Sequence, residues 1–150
     1  MHHAISRAGL EDLDVLADLA GKYHAFEGIP SSREARVAAL GPLLADDSLG
    51  AIFLSGDRDR ATGYIAVCLG YSIEFGGRDA FVDELFVEAG CRGRGLGRAL
   101  LEHAAGFLKG KGIAAVTLEV AHANPRGADF YEKIGFVKRE QYFLMSRKLR

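Results

Sequence analysis

The sequence predicts a mixed α/β fold of one domain, residues 1–150, in which four helices flank a mostly antiparallel central sheet of six to seven strands. Apolar residues recur at helical spacing in four segments, and short apolar or β-branched runs, bounded by polar turns, lie before, between and after them. The predicted order is β-α-α-β-β-β-α-β-α-β, with room for one more strand at the end. A chain of 150 residues is the size of one ordinary domain.

The first elements are a short strand and two helices. Residues 2–8 predict the strand, and apolar residues at helical spacing predict an amphipathic helix over 10–27. Ser31 precedes Glu34 by three residues, which is the spacing of a capping box. We therefore expect Ser31 to begin a second helix, which ends near Ala45.

Three strands are predicted next. Residues 49–55 and 61–72 are apolar runs on either side of the polar turn Gly-Asp-Arg-Asp-Arg, so they predict an antiparallel hairpin. Residues 80–87 follow a Gly-Gly turn and predict another strand, which carries two adjacent acidic residues.

The C-terminal third predicts two helices and the remaining strands. Residues 96–111 place apolar side chains on one face, as in a helix with one buried side. Residues 114–120 are apolar on both faces, which suits an interior strand. Pro125 favours the start of a short helix that ends before Gly135. Residues 136–149 predict the last strand or pair of strands.

The composition excludes several classes of protein. The chain is 49% hydrophobic and 26% charged, with a net charge of −1, which argues against an extended nucleic-acid surface. Its first residues do not have the pattern of a signal peptide, and no window is apolar enough to span a bilayer. Cys68 and Cys91 are not arranged with histidines at a metal-binding spacing. We expect a reduced, cytoplasmic protein that binds no metal, membrane or nucleic acid.

A glycine-rich stretch, Cys-Arg-Gly-Arg-Gly-Leu-Gly at 91–97, lies between a predicted strand and a predicted helix. Unpaired N–H groups at a helix start attract anions, and glycine lets a phosphate approach the main chain. Arg92 and Arg94 add charged donors at the rim. The spacing is neither that of a Walker A loop nor that of a dinucleotide fingerprint. From spacing alone, a phosphate site and a plain glycine-rich turn are equally good interpretations.

Two motifs in order resemble the GNAT superfamily of N-acetyltransferases. The first is the Arg92-x-x-Gly95-x-Gly97 loop after the strand, and the second is Phe-Tyr-Glu-Lys-Ile-Gly-Phe at 130–136, preceded by Asn124. The resemblance implies acetyl-coenzyme A as the donor and a hydrogen bond from Asn124 to the coenzyme arm. It also implies a bulged strand whose main chain holds the pantetheine and the thioester carbonyl, at Leu85, Phe86 and Val87. The coenzyme pyrophosphate is expected on the main chain of Arg92, Gly93, Arg94, Gly95, Leu96 and Gly97.

The resemblance also implies a general acid. Tyr131 occupies the tyrosine of the second motif, which in the family lies near the coenzyme sulfur and can protonate the departing thiolate. The alternative is that the Tyr131 ring only packs on the coenzyme or the core. For Asn124, the alternative interpretation is that it only forms a turn before Pro125.

Asp83 and Glu84 are the candidates for assisting deprotonation of the amine. Strand alternation places the two side chains on opposite faces, so we expect only one of them to face the cleft. A carboxylate there attracts a cationic amine and accepts its proton through water. A solvated or ion-paired strand charge is the alternative for either residue, and Glu84 is slightly preferred.

The acceptor is predicted to be a primary amine of a small, polyamine-like or amino-acid-like molecule. Acidic and aromatic side chains suit an amine cation, and four candidates lie where the fold usually frames its acceptor, namely Tyr23, Glu27, Tyr71 and Glu74. The stretch Leu-Ala-Gly-Lys-Tyr-His-Ala-Phe-Glu-Gly also resembles diamine- and thialysine-type acetyltransferases. The alternative is that Tyr23 is core and Glu27 a solvated helix end.

Three functions are compatible with these features. The leading hypothesis is an N-acetyltransferase that acts by direct attack of the amine, with a protein or peptide amine as a further acceptor class. The alternatives are a module that binds acyl-coenzyme A without turnover and a nucleotide-phosphate binder of other chemistry. The apolar stretch 142–149 on the late strands also predicts a homodimer.

Overall fold

The computed structural model describes residues 3–150, and its elements follow the predicted order as far as residue 133. They are β1 (Ile5–Arg7), α1 (Leu13–Glu27), α2 (Arg33–Ala45), β2 (Gly50–Asp57), β3 (Arg60–Ser72), β4 (Gly77–Val87), α3 (Leu96–Gly110), β5 (Ala115–Leu118) and α4 (Pro125–Lys133). Short 3₁₀ turns at Leu10–Asp12 and Ala89–Cys91 precede α1 and follow β4.

The described residues form one five-stranded sheet in the order β1-β2-β3-β4-β5. Neighbouring strands are antiparallel from β1 to β4, whereas β5 runs parallel to β4, from Asp79 opposite Ala115 to Val82 opposite Leu118. The prediction of six to seven strands is therefore wrong. The expectation that 114–120 forms an interior strand is wrong too, because within residues 3–150 β5 pairs with β4 alone.

The missing strands are those predicted for 136–149. No strand forms there, and its large apolar side chains, including Val137, Phe143, Met145 and Leu149, are exposed. The residue pattern of this stretch is that of a strand, but a strand exists only beside a hydrogen-bonding neighbour. The sequence supplies the pattern without specifying that neighbour.

The chain packs as two compact units. The first ends at Leu118 and contains the sheet with α1, α2 and α3, and the second is Glu119–Arg150 with α4. The prediction of a single domain stays a prediction.

The sheet of the first unit carries helices on both faces. Under α1 and α2, a buried cluster joins the two helices to alternate residues of the strands, namely Leu16, Ala17, Ala20, Leu40, Ile52, Leu54, Tyr64 and Phe86. Phe53 lies between Ile52 and Leu54 and therefore points to the other face, where its ring centroid is 5.2 Å from that of Phe107 on α3. Each fully buried aliphatic side chain stabilises the fold by about 1.5–3 kcal/mol, so these two layers fix α1 against one face and α3 against the other.

The start of α2 differs by one residue from the prediction. Ser32 is the N-cap, and its side chain accepts a hydrogen bond of 3.1 Å from the Ala35 N–H. Ser31 was the predicted cap, but its hydroxyl instead lies 2.8 Å from Nδ1 of His24. This displacement leaves Ser31 available to contact α1.

Candidate functional site

An irregularity in β4 decides which of its two acidic residues faces α1. Ala66 of β3 lies opposite Glu84, and Val67 lies opposite Val82, so Asp83 is an extra residue in β4. Since Ala66 and Val67 are consecutive, they face opposite sides of the sheet, and their partners Glu84 and Val82 do so too. The bulge thus turns the Glu84 side chain toward the face covered by α1, while Asp83 is exposed.

The Glu84 carboxylate is held from two sides. The Tyr64 hydroxyl donates to Oε1 at 2.7 Å, and Nε2 of His24, on α1, is 2.5 Å from Oε2. The side chains of His24 and Glu84 are only 16% and 17% exposed. We call these residues, together with Ser31 next to His24, the Glu84 cluster.

Burial keeps two neighbouring groups of β3 protonated. The pKa of Tyr64 is raised far above its usual range, mainly because the hydroxyl is buried and secondarily because of the charge of Glu84 and the hydrogen bond to it. The pKa of the Cys68 thiol is also raised, mainly by burial and secondarily by the negative charges of Asp83 and Glu84. Tyr64 is therefore a permanent hydrogen-bond donor to Glu84.

The sequence places His24 with Tyr23 and Glu27 in the region that frames the acceptor, but its pairing with Glu84 was not predicted, although a signal for it was present. Leu16, Ala17 and Ala20 form the buried stripe of α1, and His24 follows Ala20 by four residues on the same side. A titratable side chain that continues an apolar stripe needs a polar partner. That partner is Glu84, sixty residues further along the chain.

The turn before α3 exposes main-chain donors. Gly93 and Gly95 both have φ of 78°, which other residues rarely adopt, and no side chain caps the helix at Gly95. Ala99 donates the first helical hydrogen bond, to Gly95 O, so the N–H groups of 96–98 precede the helical pattern. A Cβ added at Gly93 would meet nothing within 4 Å, which leaves space for a ligand. We call residues 92–97 the glycine loop.

Two side-chain hydrogen bonds hold the glycine loop. Nε2 of His3 donates to the Arg94 carbonyl at 2.9 Å, and Arg92 Nε donates to the Val87 carbonyl at 2.8 Å. The Arg92 guanidinium also lies 4.9 Å from the Phe26 ring centroid and 5.6 Å from that of Phe86. Arg92 therefore ties the loop to the end of β4.

The end of β4 lies beyond the reach of β5. Residues 85–87 pair regularly with 63–65 of β3, while β5 ends opposite Val82. Along 83–87 the second edge of β4 has no strand beside it among the described residues. The expectation of a bulge at 85–87 is wrong, because the irregularity of β4 lies at Asp83.

The predicted acceptor residues do not gather at one place. The Tyr23 ring on α1 lies 6.2 Å from Phe86, and Glu27 is the last residue of the same helix. Tyr71 is near the end of β3, Glu74 lies in the turn that joins β3 to β4, and both are exposed. Tyr71 is five residues beyond Ala66, the partner of Glu84, which is about 16 Å along a strand.

The second unit contains Asn124 and Tyr131. Asn124 is the N-cap of α4, and its Oδ1 accepts a hydrogen bond of 3.0 Å from the Gly127 N–H. Tyr131 lies in the last part of α4, with its ring centroid 5.1 Å from that of Phe130 and 5.8 Å from that of Phe136. The Asn124 side chain thus fixes the start of the helix that carries Tyr131.

Among residues 3–150, no three His, Cys, Asp or Glu side chains are grouped as metal ligands would be. The helices of the same range are all too short or too polar for a transmembrane span.

Known proteins resemble this chain in both sequence and structure. The sequence model of the acetyltransferase (GNAT) family matches residues 14–136. Serotonin N-acetyltransferase 2, chloroplastic, of Oryza sativa subsp. japonica is 41% identical over 58 residues, which are 39% of this chain and 28% of that protein. The chain therefore spans well under two thirds of this curated relative.

Two solved structures share the fold. An integron cassette protein from the mobile metagenome of Cole Harbour Salt Marsh is 29% identical, with a TM-score of 0.85 over 97% of this chain and 90% of that one. An aminoglycoside N-acetyltransferase in complex with CoA is 18% identical, with a TM-score of 0.84 over 99% of this chain and 96% of the other, which is a likeness of fold alone.

Proposed function

The chain belongs to the acetyltransferase (GNAT) family, and we propose that it transfers the acetyl group of acetyl-coenzyme A directly to a primary amine of a small molecule. In this reaction the amine nitrogen forms a bond to the acetyl carbon while the bond from that carbon to sulfur breaks. The protein must bind the donor, accept a proton from the amine and return one to the sulfur. The proposal treats residues 1–150 as one catalytic domain.

The observation that carries the proposal is the glycine loop. Two glycines at positive φ and a helix start without a side-chain cap offer several N–H groups to one anion. In members of this family, the anion expected at such a loop is the pyrophosphate of acetyl-coenzyme A. Arg94 contributes charge at the rim, whereas Arg92, already bonded to Val87 O, keeps the loop in place.

The main chain of Leu85, Phe86 and Val87 is assigned to the pantetheine arm. Its edge beyond β5 is available for hydrogen bonds with an extended ligand, as in the addition of a strand to a sheet. An N–H of this segment would polarise the thioester carbonyl. Asn124 is assigned to the coenzyme arm as well.

Glu84 is the proposed proton acceptor. The bulge turns it toward α1, where Tyr64 and His24 fix both of its oxygens. An ammonium group must lose a proton before it can attack, and an oriented carboxylate accepts that proton directly or through water. Asp83 is assigned the weaker role of attracting the cationic acceptor.

Tyr131 is the proposed acid that protonates the departing sulfur. We expect Tyr131→Phe to lower kcat by roughly 10²- to 10⁴-fold, the usual contribution of a general acid. The KM for acetyl-coenzyme A should stay within a few-fold of wild type, because the ring is retained. Initial rates of thiol release measure both quantities, and unchanged turnover would remove Tyr131 from the reaction.

The acceptor is proposed to be a small primary amine. The rice relative is named for serotonin and one fold neighbour for aminoglycosides, which are small amines. Aromatic and acidic side chains that suit a cation are Tyr23, Glu27, Tyr71 and Glu74. A polyamine-like or amino-acid-like acceptor of the diamine and thialysine type, a cytoplasmic location and a homodimer complete the proposal.

Free-thiol release from acetyl-coenzyme A tests the proposal. The purified chain is mixed with polyamines, amino acids, aminoglycosides, serotonin and short peptides in turn, and the acetylated product is identified by mass spectrometry. Release with a small amine supports the proposal, and release with peptides alone assigns a protein acceptor instead. If the chain binds the coenzyme tightly but releases no thiol with any of these amines, that result would favour a binding module and contradict the proposed acetyltransferase activity.

A further inference from the structure

His24 and Glu84 share a hydrogen bond that constrains the protonation state of both. An ionised carboxylate only accepts hydrogen bonds, so Nε2 of His24 carries the hydrogen that points to Oε2 at 2.5 Å. Oε1 already accepts from the Tyr64 hydroxyl. The remaining lone pairs of Glu84 are then the ones that can receive a proton from a substrate.

The second ring nitrogen of His24, Nδ1, lies next to a group that can hydrogen-bond to it whether the imidazole is neutral or charged. Nδ1 lies 2.8 Å from the Ser31 hydroxyl, which also accepts from Nη1 of Arg36 at 3.1 Å. A hydroxyl carries one hydrogen and two lone pairs. Ser31 can therefore donate to Nδ1 when His24 is neutral, and accept from it when His24 is charged.

The charge of the cluster changes when His24 takes up a second proton. With neutral His24 and ionised Glu84, the pair has a charge of −1 and attracts an ammonium group. With His24 charged at Nδ1, the pair is neutral overall, and its carboxylate is a weaker proton acceptor. Histidine is the side chain that undergoes this change between pH 5 and 8.

Resting on the proposed function, we propose that His24 is a positioning residue that controls proton acceptance by Glu84. Its neutral imidazole donates to Oε2 and fixes the carboxylate. A proton leaves the ammonium nitrogen of the acceptor, whose electron pair stays on nitrogen, and binds a free lone pair of Glu84. Protonation of His24 at Nδ1 weakens this acceptance, so His24 sets the acid limb of the pH profile.

Other titratable or charged groups face the pair from every element around it. They are Tyr23 on α1, Arg36 on α2, Tyr64 and Cys68 on β3, and Asp83 on β4. Tyrosine, cysteine and arginine side chains ordinarily change charge above neutral pH, and exposed carboxylates well below it. The His24 imidazole therefore differs from all of them in the chemistry of its ionisation, which is the property that the test uses.

The test compares pH profiles of kcat and of kcat/KM for wild type, His24→Gln and His24→Leu. The Gln amide donates to Glu84 but does not titrate, so kcat above pH 8 should be largely retained. Its acid limb should move down by about one pH unit or more, because an ordinary glutamate titrates about two units below histidine. His24→Leu removes the donor, and kcat should fall on the order of 10- to 100-fold, as expected for a reacting group that loses its fixed position.

Two controls separate this role from a structural one. His103→Gln removes an exposed histidine on α3, next to Phe53, and should leave the acid limb in place. NMR titration of the His24 ring in wild type should give the same midpoint as the acid limb. Thermal unfolding of each variant checks that it folds.

The possible outcomes distinguish the proposed role of His24 from the proposed acetyltransferase activity. A wild-type acid limb in His24→Gln, or wild-type kcat in His24→Leu, overturns the role of His24 and leaves the acetyltransferase proposal intact. Absence of thiol release by the wild-type protein overturns the acetyltransferase proposal and this inference with it. A displaced acid limb together with a matching NMR midpoint supports the inference.

Discussion

The glycine loop offers main-chain groups to a ligand, whereas the Glu84 cluster consists of side chains drawn from α1, the loop that follows α1, β3 and β4. In the loop, two positive-φ glycines and an uncapped helix start create the donors. In the cluster, a hydroxyl and an imidazole orient one carboxylate. The difference teaches that, under the proposed function, binding of acetyl-coenzyme A and acceptance of the proton would depend on separate structures, which separate mutations can disable.

The largest expected effect on activity comes from the glycine loop, because a protein that no longer binds acetyl-coenzyme A cannot turn over at all. Gly95→Glu adds a side chain at φ of 78° and a negative charge at the anion site. The strain costs about 1–2 kcal/mol, and up to ~2 kcal/mol of helix-end attraction for an anion is lost. We expect acetyl-coenzyme A to bind roughly 100-fold more weakly, or not at all, in isothermal titration calorimetry.

Gly95→Ala is the matched control for that change. It introduces the same backbone strain without the charge, so its loss of affinity should be clearly smaller. Wild-type affinity in Gly95→Glu would mean that the pyrophosphate binds elsewhere.

The second effect concerns the Glu84 cluster and should leave donor binding unchanged. Glu84→Gln keeps the size of the side chain but removes the proton acceptor, so kcat should fall by roughly 10²- to 10⁴-fold. The Kd for acetyl-coenzyme A should stay near the wild-type value, because the glycine loop is untouched. Initial rates of thiol release and calorimetry measure the two quantities.

Asp83→Asn is the comparison for Glu84→Gln. Asp83 is exposed at the bulge, and its proposed role is to attract the acceptor. Its replacement should raise the KM for the amine more than it lowers kcat. Equal losses of kcat in the two variants would contradict the choice of Glu84.

The smallest effect is on stability. Tyr64→Phe removes the donor to Oε1 of Glu84 while keeping the buried ring, and a hydrogen bond to a charged group contributes roughly 1.5–3 kcal/mol. We expect urea unfolding to show a loss of that size. In the Glu84→Gln background the loss should be smaller, and an equal loss in both backgrounds would show that the hydrogen bond does not account for it.

The features that the sequence predicts well are those formed by residues that are close together in the chain. The glycine loop is local, because Gly93, Gly95 and the helix that follows are adjacent in the chain, so spacing alone predicted its geometry. The helices and the strands up to β5 are also encoded in local periodicity. The two acidic residues of β4 were found for the same reason, as neighbours on one predicted strand.

What depends on distant partners was not predictable. His24 reaches Glu84 across sixty residues, and the bulge at Asp83 is visible only in the register of β3 against β4. Ser31 was assigned to a helix cap one residue too early, because Ser31 and Ser32 are chemically equivalent as caps. The segment 136–149 has the composition of a strand, but composition does not identify a neighbouring strand.

The central claim is that this chain binds acetyl-coenzyme A through the glycine loop and activates an amine through Glu84. One paired measurement tests it, namely coenzyme affinity and thiol release for wild type, Gly95→Glu and Glu84→Gln in the same buffer. The account predicts that Gly95→Glu loses affinity and that Glu84→Gln binds normally but turns over slowly. Loss of affinity in Glu84→Gln, or full activity in either variant, would contradict it.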